Sequence, residues 1–183
     1  MKTGYAHIVM VVDRSGSMES IQRDAIGGFN TFLKDQKAGP GEATLTLIGF
    51  DDRYEVWQEW KPIQEVPDLT AQTFVPRGST ALLDAIGRTI NETGNRLETL
   101  PETDRPERVI FVILTDGYEN SSKHFPMDQI AKMLAHQTDT YKWTFMFLAA
   151  NLDAIATASA MNIPAAAAMS YAGNAGGIDA LYG

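Results

Sequence analysis

The sequence predicts an α/β fold: a doubly wound, mostly parallel central sheet of about six strands, with one antiparallel edge strand and helices on both faces. Three observations carry that expectation. Short apolar runs, Ile8 to Val12 and Val109 to Leu114, alternate along the chain with longer stretches of helical periodicity. These runs are apolar at every position, as strands covered on both faces are. Strands separated by helices also require crossover connections, and crossovers pair strands in parallel.

The first strand ends abruptly where Ile8-Val9-Met10-Val11-Val12 meets Asp13-Arg14-Ser15-Gly16-Ser17. Apolar residues then recur at Met18, Ile21, Ala25, Phe29, Phe32 and Leu33, one face of a helix that Ala38-Gly39-Pro40-Gly41 terminates. Residues 44–50 form a second strand. After the Asp51-Asp52 turn, residues 53–60 alternate as its antiparallel edge neighbour. Trp57 and Trp60 differ in parity, which sends one to the core and the other to solvent. Residues 62–74 are a mixed connection with one short helix. From Thr80 the pattern is helical again, with Leu83, Ile86, Ile90 and Leu97 inward and a break at Leu100-Pro101. Residues 108–115 form the fourth strand, and Pro126 opens a helix carrying Ile130, Met133 and Leu134. Residues 143–149 are a fifth strand, 152–160 a short helix and 165–171 a sixth strand. One domain, 1–172, is followed by a glycine-rich tail, 173–183.

At 183 residues the chain suits a single domain with a substantial core. Its net charge of -8 disfavours a phosphate-tracking surface, so nucleic acid is not an expected partner. It has no cysteine, which excludes disulfides and thiolate metal sites. His7, His124 and His136 lack zinc-type spacing and read as ordinary surface or strand residues. No stretch has the length of a membrane span, and the N-terminus enters the first strand without a signal peptide. The expected compartment is the cytoplasm.

Three loops concentrate hard oxygen donors. Asp13, Ser15 and Ser17 follow the first strand, Thr80 follows Gly78-Ser79, and Asp116 ends the fourth strand in Thr115-Asp116-Gly117. Oxygen ligands without sulfur or imidazole suit Mg²⁺, or Mn²⁺ and Ca²⁺. Right-handed crossovers place the strand ends that precede helices on one sheet edge, where ligands bind in such folds. Taken singly, each residue has a plainer role. Ser15, Ser17 or Thr80 can cap a helix, and Asp116-Gly117 can end a strand in a turn. Their joint occurrence points to a metal site.

Asp13-x-Ser15-x-Ser17, Thr80 and Asp116 resemble the complete metal-ion-dependent adhesion site of von Willebrand factor A domains, over about residues 6–171. The resemblance implies that family's Rossmann-like fold. It further implies direct ligation by Ser15 and Ser17, ligation by Thr80 directly or through water, and a mostly water-holding role for Asp13 and Asp116. One coordination position is left for a Glu or Asp carboxylate of a partner protein. Intracellular members work in multiprotein assemblies, often with AAA-type ATPases, so a non-enzymatic binding module of that setting is implied. Candidate rim and partner contacts are Glu19, Asp51, Tyr118 and Glu119. The alternative is a metal-dependent phosphatase or hydrolase using Asp13 or Ser15. Phosphoryl transfer of the haloacid-dehalogenase type needs a second Asp where Ser15 stands, and the next lysine after Thr80 is Lys123.

Overall fold

A computed structural model describes residues 1–116, 118–149 and 152–170. The strands are β1 (Lys2–Asp13), β2 (Glu42–Phe50), β3 (Tyr54–Pro62), β4 (Pro106–Thr115), β5 (Thr144–Ala149) and β6 (Ala168–Ser170). The helices are α1 (Gln22–Ala38), α2 (Leu82–Thr99), α3 (Met127–Tyr141) and α4 (Leu152–Ala160). Strand order is β3-β2-β1-β4-β5-β6, with β3 antiparallel to β2 and the other described pairings parallel. Among the described residues no helix is long and apolar enough to cross a membrane.

Alternation along β1 builds two cores at once. Ile8, Met10 and Val12 face α1, joined by Met18, Phe29, Leu33, Leu45, Leu47 and Phe74. Val9 and Val11 face the other way, into a cluster with Ile86, Ile90, Phe111, Ile130 and Phe147 from α2, β4, α3 and β5. The chain winds from β1 outward to β2 and β3, then returns to β4 on the other side of β1. The carboxyl ends of β1 and β4 therefore lie side by side where strand order reverses.

The expectation of a six-stranded, doubly wound, Rossmann-like sheet needs correction. Five strands carry the sheet, which is mixed: antiparallel at β3-β2 and parallel beyond. The sixth is a stub of three residues, and 165–167, placed in that strand by sequence, form a turn of 3₁₀ helix instead. An alanine run offers little side chain to pack on a pleated surface. The winding is also uneven. α2, α3 and α4 cover one face, whereas α1 shares the other with an irregular segment containing Ile63, Val66, Leu69 and Phe74. Pro67 and Pro76 interrupt helix formation in that segment. The tail from 173, the end of the predicted domain and Gly117 lie outside the described residues.

Local detail is added at three places. His7 is fully buried: Nδ1 lies 2.8 Å from the Thr44 hydroxyl, Nε2 3.3 Å from that of Thr46, and the ring stacks on Trp60 at 3.5 Å. Burial depresses its pKa to about 3. Trp57 and Trp60 are both half-buried, because β3 carries extra residues opposite β2: Leu45 pairs with Lys61, Leu47 with Gln58 and Ile48 with Val56. The first helix starts as a 3₁₀ turn, Gly16–Ile21, and becomes α-helical only at Gln22.

Candidate metal centre

The loops after β1 and β4 and the loop before α2 are bonded into one unit. Gly16 N–H donates to the Gly78 carbonyl at 3.1 Å, and Arg77 N–H to that of Arg14 at 2.8 Å. The Thr80 carbonyl accepts N–H groups of Asn120 and Ser121, both at 3.1 Å, while Thr80 N–H donates to Asn120 Oδ1 at 2.8 Å. Thr115 Oγ1 donates to Asp13 Oδ2 at 2.6 Å, tying β4 to the end of β1. Gly78 has φ +68, and a Cβ there would lie 2.2 Å from Asp52 Oδ1, so this turn requires glycine.

Asp13 is wholly buried, and its Oδ1 accepts Ser15 N–H at 2.7 Å. Burial pushes its carboxyl up to about 6, the Thr115 hydroxyl and Ser15 amide pull the other way, and the neighbouring Asp116 carboxylate adds to the rise. Two carboxylates are thus held together with little solvent, since Asp116 is only 4% exposed. The hydroxyls of Ser15 and Ser17 lie 3.1 Å apart, Ser15 buried and Ser17 exposed.

None of the three hydroxyls caps a helix. Neither the 3₁₀ turn after Ser15 nor α1 has a side-chain cap, and the residue capping α2 is Ala81. The N-terminal N–H groups of α2 are satisfied from the facing loop: Leu83 N–H donates to Glu119 Oε2 at 2.9 Å and Asp84 N–H to Ser122 Oγ at 3.0 Å. Thr80 is 2% exposed, and its hydroxyl makes no hydrogen bond among the described residues. Asp116 does make the strand-ending turn contact, weakly, with Tyr118 N–H 3.4 Å from Oδ1.

The oxygen donors these residues carry are of the chemistry a hard divalent cation takes. Ser15, Ser17 and Thr80 offer neutral oxygens, and Asp13 and Asp116 supply the charge that such a cation neutralises. No group of three or more His, Cys, Asp and Glu side chains suited to a metal occurs among the described residues, so any site here rests on hydroxyls.

The rim candidates separate. Glu19 and Tyr118 are exposed, Tyr118 at 52%. Glu119 is not free for a partner, because it accepts N–H groups of Leu83, Ser121 and Ser122 and the Ser122 hydroxyl. Asp51 is not on the rim at all. It is fully buried beneath the site, where its Oδ2 lies 2.8 Å from Arg77 Nε and 3.4 Å from Arg14 Nε. Glu55 completes this cluster, 2.7 Å from Arg77 and 2.5 Å from Arg14. The buried Arg14 Nε and Nη2 are held by proximity of charge, without aligned hydrogen bonds. Sequence reasoning missed this brace, although Arg14 sits inside the Asp-x-Ser-x-Ser stretch and Arg77 just before Gly78. It also missed Asp84, which accepts N–H groups of Lys123, His124 and Phe125. Partial burial pushes that carboxyl up, but the three amides hold it below the usual range.

No protein-family model matches the chain, and no curated protein does. Similar solved structures include the three N-terminal domains of the type V pili tip protein Mfa5 from Porphyromonas gingivalis, at 16% identity and TM-score 0.46. Another is proximal thread matrix protein 1 from the mussel byssus, at 19% identity and TM-score 0.48. The matches cover 62% and 80% of this chain, but only 20% and 35% of those chains. Likenesses this distant carry nothing about function.

Proposed function

We propose that this chain is a divalent-cation-dependent protein-binding module of the von Willebrand factor A type, without enzymatic activity, that captures an acidic residue of a partner. The observation that supports this most is the set of hydroxyls from Ser15, Ser17 and Thr80, none of which caps a helix, beside two buried carboxylates. Ser15, Ser17 and Thr80 would hold Mg²⁺, or Mn²⁺ or Ca²⁺, and Asp13 and Asp116 would orient the hydroxyls and waters around it. Weak neutral ligands leave such an ion able to attract one further carboxylate strongly. By the resemblance, we place this capture in the cytoplasm, within a multiprotein assembly of the AAA-type ATPase kind.

Thermal unfolding with EDTA and with excess Mg²⁺ tests the reading, since a ligand of the native state stabilises it by mass action, about 2.7 kcal/mol at a hundred times its dissociation constant. Thr80→Ala and Asp116→Ala should lose most of that gain while folding normally in EDTA. A wild-type protein indifferent to Mg²⁺, or either variant keeping the full gain, would overturn it.

A further inference from the structure

The brace beneath the candidate metal centre is a closed ring of four charges. Arg77 donates from Nε to Asp51 Oδ2 at 2.8 Å and from Nη2 to Glu55 Oε1 at 2.7 Å. Arg14 lies against the same two oxygens, its Nη2 2.5 Å from Glu55 Oε1 and its Nε 3.4 Å from Asp51 Oδ2. Each charge therefore has two neighbours of opposite sign. The Trp57 ring lies 5.6 Å from the Arg14 guanidinium carbon, and its indole N–H donates to Glu55 Oε2 at 3.3 Å. Both carboxylates belong to the β2–β3 hairpin, whereas the arginines belong to the two loops that carry the hydroxyls. Arg14 stands between Asp13 and Ser15, and Arg77 shortly before Thr80.

The main chain ties the same hairpin to both loops. Arg14 N–H donates to the Phe50 carbonyl at 2.8 Å and Ala81 N–H to that of Asp51 at 3.0 Å, so the end of β2 is bonded on either side of the hydroxyl set. An isolated surface ion pair would hold such loops weakly. Here Asp51 is wholly buried, and the rigid donor fork of one guanidinium spans two carboxylates. Mg²⁺ demands near-ideal octahedral spacing, whereas Ca²⁺ tolerates longer and less regular contacts. A device that fixes how far Ser15 and Ser17 stand from Thr80 therefore acts on one ion more than on the other.

We propose that the ring of Arg14, Asp51, Arg77 and Glu55 is a positioning device. It holds the Ser15–Ser17 loop and the Thr80 loop at the spacing a small cation requires, and so sets the discrimination between Mg²⁺ and Ca²⁺. The four residues act through the loops and not as ligands. This rests on the cation-capture reading and extends it to residues outside the donor set.

Calorimetric titration of Mg²⁺ and of Ca²⁺ into the full chain tests it, in the wild type and in Arg77→Gln and Glu55→Gln. Both side chains reach solvent, at 44% and 38% exposure, so both variants should fold. Each should lose roughly tenfold in Mg²⁺ affinity, as residues that orient metal ligands do, and less in Ca²⁺ affinity. Charge acting through space predicts otherwise: losing Arg77 would strengthen the binding of either ion, and losing Glu55 would weaken it. Ile130→Val, a core variant outside the ring, should keep the wild-type ratio of the two affinities. Opposite shifts in the two ring variants, equal losses for both ions, or the same fall in ratio in Ile130→Val overturns the inference. Wild-type affinities in both ring variants would refute the ring's role and leave the cation reading standing. A wild type that binds neither ion would refute that reading, and the inference with it.

Discussion

Replacing Asp13 by asparagine should make the cation-free protein more stable. The buried Asp13 carboxyl is raised from 3.8 to about 6, a difference of about 2 units, or roughly 3 kcal/mol at 1.36 kcal/mol per unit. The native state therefore binds this proton more tightly than the unfolded chain. Stability from this group increases as pH falls from 6 towards 3.8, and at pH 7 the full cost of the ionised form is present. Asparagine keeps an oxygen for the Ser15 amide and can donate to the Thr115 hydroxyl in place of accepting from it. A gain of about 1–3 kcal/mol in EDTA is expected once the altered hydrogen bonds are allowed for. Excess Mg²⁺ should reverse the sense, because the wild type gains from the cation and the variant, one charge short, gains little. Urea unfolding at pH 7, followed by the fluorescence of Trp57, Trp60 and Trp143, measures both. A variant less stable than wild type in EDTA, or one with the wild-type Mg²⁺ increment, would refute the reasoning.

His7 should remain neutral in the folded protein at every pH at which the fold survives. Its folded pKa of about 3 lies below the unfolded 6.5, so its contribution is complete above pH 6.5 and lost at about 1.4 kcal/mol per unit as pH falls towards 3. Below pH 6 Asp13 offsets this loss in EDTA, so acid sensitivity should be steeper with Mg²⁺; a His7 imidazole titrating near 6.5 by NMR would contradict both statements. Gly49→Ala should destabilise by about 1–3 kcal/mol, because the added Cβ falls 2.0 Å from Trp57 Cζ2. Urea midpoints unchanged by that substitution would mean that Trp57 does not pack over Gly49.

Where sequence and structure agree, the signal is local. The all-apolar runs of β1 and β4 and the 3.6-residue period of α2 need no partner to be recognised. Asp13, Ser15 and Ser17 are likewise legible because they share one turn. What stays hidden depends on distant partners. β1 begins at Lys2 because that residue pairs across to Pro106 and its ammonium meets Glu42. His7 reads as an ordinary surface or strand residue, and its burial in β1 shows only when Thr44, Thr46 and Trp60 are brought to it from other strands. Asp51 reads as a turn residue, yet Arg14 and Arg77 make its burial tolerable, as an isolated buried charge would not be. Glu119 looks like an exposed acid, but the bare N-terminus of α2 faces it across a gap in sequence of more than thirty residues.

The irregular pairing of β3 bears on how the molecule behaves in a crowd. β3 is the outer strand of the sheet on the side of the β2–β3 turn. Such a margin normally invites another chain to add a strand, the first step of fibril growth. Here Trp60 takes a left-handed φ of +47, its indole turns inward onto His7, and Pro62 removes a donor where the strand stops. Glu59 and Lys61 flank the distortion. An intruding strand finds no unbroken ladder to follow along that margin.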